Sequence, residues 1–201
     1  TYAVGIAGLA WPTSRPLFLA LTPAHLLLTL AAALAAQQPR GRGFWLAAAF
    51  VFLGGYFIEV AGVATGALFG HYEYGAPFGP QLWRTPPLIG VNWLLLTLCC
   101  AEALRGLPAL RRAPWLHTLA TALLLTAMDY LLEPVAMRLG FWNWLGGTIP
   151  LQNYVMWFAC GLAFAAAYLA GTHKDAPRNF LALPILLLQA TFFVFLQALL
   201  A

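Results

Sequence analysis

The chain has 201 residues, of which 62% are hydrophobic and only 8% are charged. An ordinary soluble domain is about 45–50% apolar and about 25% charged, so this composition excludes a soluble globular protein. A chain of this length cannot hide so much apolar surface in its own core, and lipid must therefore be part of its solvent. The formal net charge is +4, but the basic residues fall between apolar segments, which is typical of membrane topology and not of nucleic-acid binding.

Six apolar stretches follow one another along the chain, each close to the roughly 20 residues that cross the hydrocarbon core of a bilayer. They cover residues 16–36, 44–70, 87–104, 114–134, 150–171 and 179–201. The segment from Tyr2 to Trp11 is too short to span, and is either an interfacial segment or the end of a helix that begins before Thr1. We therefore predict a single integral membrane domain over residues 1–201, an all-α bundle of about six transmembrane helices.

The basic residues between the stretches predict how the bundle is oriented. The loops on one side carry Arg40, Arg42, Arg105, Arg111, Arg112, Lys174 and Arg178, and those on the other side carry only Arg15, Arg84 and Arg138. By the positive-inside rule, the side with seven basic residues faces the cytoplasm. The aromatic loops 71–86 and 135–149 are then expected on the outer side of a bacterial or archaeal cytoplasmic membrane.

Three carboxylic acids lie inside the predicted spans: Glu59 in the second, and Asp129 and Glu133 in the fourth. A charged side chain at the middle of a bilayer costs about 2.5–3.5 kcal/mol on insertion scales, so an acid there indicates a functional site. Asp129 and Glu133 are four residues apart and share one helix face, and Pro134 is expected to end or kink that helix. These two residues form a candidate carboxylate pair.

Further polar and small residues are predicted to converge on the same end of the bundle. Glu59 shares a helical stripe with Gly62, Gly66 and Gly70, a small-residue series that we expect to let another helix approach closely. Asn153 and Trp157 lie on one stripe of the fifth span, and Asn92 and Trp93 begin the third span at a similar depth. The outer half of the bundle is therefore expected to contain a polar cluster.

No metal or nucleotide motif accompanies these residues, and the three cysteines show neither zinc nor disulfide spacing. A carboxyl in apolar surroundings keeps its proton and can act as a general acid, and aromatic faces stabilise cations. This combination suits protonation of an isoprenoid double bond, with the carbocation captured by water or by an internal alkene. In the alternative interpretation, Asp129 or Glu133 pairs with Arg84 or Arg138 and merely holds the loops.

Two weaker patterns leave further alternatives open. His25 and His117 lie in the first and fourth spans, but haem ligation needs two histidines at one depth and these are expected at different depths. Phe192, Phe193 and Phe195 in the last span are typical of lipid-facing packing, and a groove for a pigment is the other interpretation of this stripe.

Three sequence blocks carry a distinctive pattern. Residues 59–74 read EVAGVATGALFGHYEY and are followed by TPPLIGVNW, residues 128–144 read MDYLLEPVAMRLGFWNW, and residues 149–158 read IPLQNYVMWF. These blocks resemble those of the membrane carotenoid-biosynthesis hydratases, the family of carotenoid 1,2-hydratases and bisanhydrobacterioruberin hydratases. Together they extend over roughly residues 54–160. The chain departs from the family pattern at Met128, where a tryptophan is expected, and at Glu133, where an aspartate is expected.

The resemblance implies hydration of the terminal 1,2 or 1′,2′ double bond of an acyclic carotenoid ψ end, without a metal or other cofactor. Its expected catalytic residues are Asp129 as the acid and Glu133 or Glu59 as the group that deprotonates water. The expected substrate-binding residues are Tyr72, Glu73, Tyr74, Arg84, Asn92, Trp93, Trp142, Trp144, Asn153 and Trp157. Among these, Arg84 is expected to bias the outer carboxyls toward ionisation.

Two other functions remain as alternatives. The similar small membrane lycopene cyclases begin with the same protonation, and a non-catalytic membrane subunit could bind carotenoid or quinone in the same cavity. The expected partners are an acyclic carotenoid, water and the lipid bilayer, with no nucleic acid. A homo-oligomer, or association with other enzymes of carotenoid biosynthesis, is a further expectation.

Overall fold

A computed structural model describes residues 2–172 and 176–200, so that Lys174, one of the residues in the charge count, lies outside the described ranges. The α-helices of this part of the chain are α1 (Tyr2–Ala10), α2 (Arg15–Ala36), α3 (Arg42–Thr65), α4 (Leu88–Leu104), α5 (Pro108–Arg112), α6 (Pro114–Arg138), α7 (Leu151–Gly171) and α8 (Ala182–Leu199), and a 3₁₀ helix covers Ala76–Phe78. Two three-residue strands, β1 (Tyr72–Tyr74) and β2 (Trp142–Trp144), lie at one end of the bundle. The predicted all-α bundle is confirmed.

Among the described residues, five helices are long and apolar enough to cross a membrane: α2, α3, α6, α7 and α8. The shorter α4 has 17 residues, and every residue from 89 to 102 is buried. A helix that is apolar on all sides belongs in the interior of a bundle, and α4 contacts all five of the long helices. The predicted third span is therefore the central helix, around which the other five pack.

The second predicted span ends earlier than its apolar run suggests. Helix α3 stops at Thr65, and Gly66 takes the left-handed conformation with φ of 65° while its N–H donates to the Gly62 carbonyl at 2.8 Å. This is a glycine C-cap, and Gly70 also has a positive φ, of 108°. The expectation that Gly62, Gly66 and Gly70 form a helix-packing stripe is therefore wrong, because two of the three glycines turn the chain outside the helix.

The close approach between α3 and α4 occurs at other glycines. A Cβ atom added to Gly55 would lie 2.6 Å from Trp93 Cβ, and one added to Gly90 would lie 2.5 Å from the backbone carbonyl oxygen of Phe52. Neither distance leaves room for a methyl group. These contacts let the end of α3, with Glu59, lie directly against the beginning of α4.

Replacing Gly90 by alanine is expected to lower the free energy of unfolding by about 1–3 kcal/mol, since the new methyl group meets a backbone carbonyl that cannot rotate away. The midpoint of thermal unfolding in detergent, followed by circular dichroism, measures this. The matched control is Gly146→Ala, because a Cβ atom at Gly146 meets nothing within 4 Å. Equal midpoints for the two variants would contradict the packing described here.

The sequence predicts that Pro134 either ends or kinks its helix. In the structure, α6 does not end there but continues to Arg138. Proline removes a backbone donor and crowds the preceding turn. The Gln197 side-chain amide of α8 donates to the Leu131 carbonyl at 2.6 Å, and Arg138 donates to the Gln197 carbonyl at 2.8 Å. These two contacts fix α6 against α8 on both sides of Pro134.

The strands β1 and β2 pair in antiparallel fashion and form what we call the aromatic ribbon. Its register pairs Tyr72 with Trp144, Glu73 with Asn143, and Tyr74 with Trp142. Side chains alternate between the two faces of a strand. The four aromatic residues therefore share the face toward the helices, and Glu73 and Asn143 are exposed on the opposite face. The ribbon covers the end of the bundle at which α3 and α6 finish and α4 and α7 begin.

Candidate active site

The first carboxyl of the site, Glu59, is fixed between α4 and the ribbon. Its side chain is only 4% exposed. Oε2 accepts hydrogen bonds from the hydroxyls of Tyr72 at 2.5 Å and Tyr74 at 2.7 Å. Oε1 accepts the indole N–H of Trp93 at 3.0 Å. The close approach of α3 and α4 at Gly55 brings the last of these donors into reach.

The two tyrosines act as permanent donors. Burial, followed by the negative charge of Glu59, raises the pKa of Tyr72 and of Tyr74 well above the ordinary tyrosine value. Both hydroxyls therefore stay protonated at physiological pH and remain available to the Glu59 carboxyl.

The second carboxyl, Glu133, is held by the other strand of the ribbon. Its Oε2 accepts the indole N–H groups of Trp142 and Trp144, each at 2.9 Å. Its Oε1 accepts the side-chain amide of Asn153 at 3.3 Å. An indole can only donate, and a carboxylate can only accept. This set of partners therefore suits the ionised form of Glu133.

The third carboxyl, Asp129, lies one turn before Glu133 on α6 and is fully buried, with 0% exposure. Its Oδ2 accepts the Asn153 amide at 2.8 Å, so the same Nδ2 atom bridges Asp129 and Glu133. Its Oδ1 is buried and has no hydrogen-bond partner among the residues that the structure describes. Of the six carboxyl oxygens of the cluster, this one alone is left without a donor in that part of the chain.

A cavity of about 20 Å³ lies between the three carboxyls. Its walls consist of Glu59, Phe69, Tyr72, Tyr74, Ile89, Asp129, Glu133, Trp142, Trp144, Asn153 and Trp157. A cavity needs about 10–15 Å³ to hold a water molecule and needs polar partners for it. This one therefore has room for one water molecule beside carboxyl groups and aromatic faces. Trp157 is itself held by stacking on Trp93, with ring centroids 3.8 Å apart.

A larger apolar groove of about 510 Å³ lies on the other side of Trp142. Residues of α1, α2, α6 and α8 line it, together with Asn92 of α4. Trp142 lines both the groove and the small cavity. Its indole therefore stands between the carboxyl cluster and a space large enough for a long apolar molecule.

The structure brings most of the predicted site residues together and leaves three apart from the cluster. Glu73 is exposed on the outer face of β1, and Asn92 lies in the groove wall with its Nδ2 buried and unpartnered within the described residues. Arg84 is exposed in a tight turn with φ of 61°. Within residues 2–172 and 176–200, neither Arg84 nor Arg138 forms an ion pair with the carboxyls, and Arg138 instead donates to Gln197.

Sequence reasoning missed the ribbon, although its signal is present. In YEY at 72–74 and WNW at 142–144, aromatic and polar residues alternate with the period of a strand. The family resemblance predicts that these four aromatic residues bind substrate. In the structure, they donate the hydrogen bonds that hold Glu59 and Glu133.

A fourth buried acid, Glu102, shows the contrasting arrangement. It lies at the far end of α4 and pairs with Arg105, with the Arg105 Nε and a Glu102 oxygen 2.9 Å apart. Tyr168 donates to its other oxygen at 3.1 Å. A neighbouring cation compensates the charge of Glu102, and this cluster therefore ties α4 to α7.

Comparison with known proteins connects this arrangement to one family. Residues 22–201 match the family model described as carotenoid biosynthesis protein. A curated relative, bisanhydrobacterioruberin hydratase of Haloarcula japonica, is 34% identical over 119 residues, which cover 53% of this chain and 38% of the relative. The match thus spans well under two thirds of that relative's length, and no solved structure matches the chain. Because the family model covers nearly the whole chain, with all three carboxyls and both strands of the ribbon, the chain belongs to the carotenoid biosynthesis protein family.

Proposed function

We propose that this protein is a hydratase that adds water across the terminal 1,2 or 1′,2′ double bond of an acyclic carotenoid ψ end. The observation that carries the proposal is the buried Oδ1 of Asp129, which lacks a partner within the described residues and belongs to a cavity with room for one water molecule. Membership of the carotenoid biosynthesis family and the hydratase name of the relative support it.

The reaction begins when Asp129 transfers its proton to C2 of the end group. The alkene π electrons form the new C2–H bond, and the positive charge settles at C1, because a tertiary cation is the more stable one. No protein acceptor among the described residues holds the Oδ1 position, so a proton there is free for transfer. A carbon atom of the substrate can then take it without competition.

The cavity walls stabilise the cation while it lasts. The indole rings of Trp142 and Trp157 line the cavity, and aromatic faces attract cations. Fixed carboxylates at Glu59 and Glu133 add a favourable field that needs no reorganisation during the reaction. The aromatic ribbon therefore contributes to catalysis by holding the Glu59 and Glu133 carboxylates in place.

Water captures the cation in the second half of the reaction. A lone pair of the water oxygen forms the C1–O bond, and Glu133 accepts the proton that the water loses. The cycle closes when this proton returns to Asp129, which shares the Asn153 amide with Glu133. The net change is addition of one water molecule to give a tertiary alcohol, and no electrons are exchanged with a cofactor.

We further propose that the ribbon end of the bundle faces the outer side of a cytoplasmic membrane. The basic residues in the loops at the opposite end support this orientation. Water would then reach the carboxyl cluster from the outer aqueous phase, and the apolar substrate would arrive from the bilayer.

The proposal is tested by expressing the chain in a lycopene-producing bacterium and separating the carotenoids by chromatography with mass detection. The expected result is a product heavier by one water molecule per ψ end. An isomer of unchanged mass would indicate cyclisation and would contradict hydration. Unaltered lycopene that stays bound to the purified protein would favour a binding subunit.

Replacing Tyr72 by phenylalanine removes one of the three donors to Glu59 and is expected to slow hydration by about tenfold, the effect of one hydrogen bond to a charged group. Initial rates in membranes, normalised to protein, measure the change. Tyr154→Phe is the matched control, because Tyr154 lies outside the cavity wall and packs on Tyr130. An undiminished rate in Tyr72→Phe would show that Glu59 does not depend on the Tyr72 hydroxyl.

A further inference from the structure

The large groove is an elongated space between the pair α1–α2 and the pair α6–α8. Its lining residues on α2 run from Phe18 to Leu28, which corresponds to about 15 Å along a helix axis. Its volume of about 510 Å³ lies within the range of about 300–1,000 Å³ that is usual for small-molecule sites.

Beside a larger number of aliphatic side chains, the groove wall contains seven aromatic side chains. They come from Tyr2, Phe18, Phe78, Phe141, Trp142, Phe192 and Phe193. The hydroxyl of Thr22, one of the few polar groups in the wall, is already used by the Phe18 carbonyl at 3.0 Å. Flat aromatic faces pack well against a planar conjugated chain, whereas a saturated lipid chain has no such plane to match.

The groove adjoins the carboxyl cluster at Trp142. Trp142 lines both spaces, and Phe78 lies nearly parallel to it, with ring centroids 5.9 Å apart and an interplanar angle of 18°. Glu133 binds the Trp142 indole N–H. A chain in the groove therefore brings its end to Trp142, whose side chain also lines the carboxyl cavity.

We infer that this groove binds the polyene chain of the carotenoid, with the reacting end group at Trp142 and the remainder leaving past Tyr2 and His25 into lipid. The identity of the ligand rests on the proposed function, but the groove itself does not. Phe192 and Phe193 line the groove, which favours the pigment interpretation of the stripe in the last span, whereas Phe195 is exposed outside it.

Helix α1 forms one edge of the groove. Val4 lines the groove and is 62% exposed. A Cβ atom added to Gly5 would lie 3.2 Å from the ring of Phe192 on α8. Helix α1 thus helps to close the groove.

Substitutions that fill the groove test the inference without touching the carboxyls. Ala24 lines the groove and is exposed, so Ala24→Trp places an indole in the chain's path at a position that tolerates bulk. Leu27→Trp is the matched control on the same helix, because Leu27 is exposed and lies outside the groove wall. Val4→Trp is a second blocking variant on another helix.

Each variant is expressed in the lycopene-producing host and purified in detergent, and bound pigment per protein is measured by absorbance and its mass by spectrometry. An Asp129→Asn background keeps the pigment unreacted. We expect about a tenfold or larger loss of pigment in both blocking variants and none in Leu27→Trp. Circular dichroism and elution volume establish that each variant is folded.

The outcomes separate the groove from the proposed chemistry. One outcome is that both blocking variants lose bound pigment while the wild type binds pigment but never hydrates it. This result would support the groove as the pigment site and would contradict the hydratase activity. Full hydration by folded Ala24→Trp and Val4→Trp would overturn the groove as the substrate site. Purified protein that carries only membrane lipid, with no polyene, would overturn it as well.

Discussion

Asp129→Asn is expected to reduce hydration by about 10²–10⁴-fold, the usual contribution of a positioned general acid. The amide has the shape of the carboxyl but carries no acidic proton for C2. Its oxygen can still accept the Asn153 amide, which now donates to Oδ2 at 2.8 Å, so the fold should survive. Carotenoids extracted from the lycopene-producing host and separated by mass measure the loss.

Tyr130→Phe is the matched control for this variant. Tyr130 follows Asp129 directly on α6, is 63% exposed and packs on Tyr154 through its ring, which phenylalanine retains. Hydration by this control should equal that of the wild type. If Asp129→Asn hydrated lycopene at the same rate as Tyr130→Phe, another group would have to be the acid.

The positions of the spans could be predicted because the membrane imposes length and apolarity on each helix. The predicted spans 87–104 and 150–171 differ by one residue at most from α4 (Leu88–Leu104) and α7 (Leu151–Gly171). The second span was predicted too long, since glycine and aromatic residues after Thr65 are as apolar as the helix itself. Hydropathy cannot locate a C-cap, which depends on the backbone angles of Gly66.

The convergence of Glu59, Asp129 and Glu133 could also be predicted, since an acid within a span must face the interior of the bundle. The different sets of hydrogen-bond donors around the three carboxyls could not be predicted. Whether a carboxyl has three donors or one depends on the ribbon, whose strands are about 70 residues apart in the chain and form a contact that no local pattern specifies. For the same reason Glu73, which lies between Tyr72 and Tyr74, was expected in the site and is exposed.

Glu133→Gln is expected to reduce hydration by about 10²-fold or more, because no carboxylate then removes the proton from the attacking water. The protonation step at Asp129 remains. In D₂O, Asp129 delivers a deuteron to C2, the cation fails to capture water, and a proton or deuteron returns from C2 to the aspartate. The recovered lycopene should therefore gain deuterium while little hydrated product forms, and mass spectrometry of both species measures this.

The comparison with Asp129→Asn makes this prediction specific. That variant cannot protonate C2, so its recovered lycopene should contain no deuterium, although both variants hydrate poorly. Wild-type rates in Glu133→Gln would mean that Glu59, on the other side of the cavity, accepts the proton. Loss of both hydration and deuterium exchange would place Glu133 in the protonation step itself. Because Asn153 contacts both carboxyls through one nitrogen atom, only this isotope pattern separates a base for water from a group that resupplies the acid.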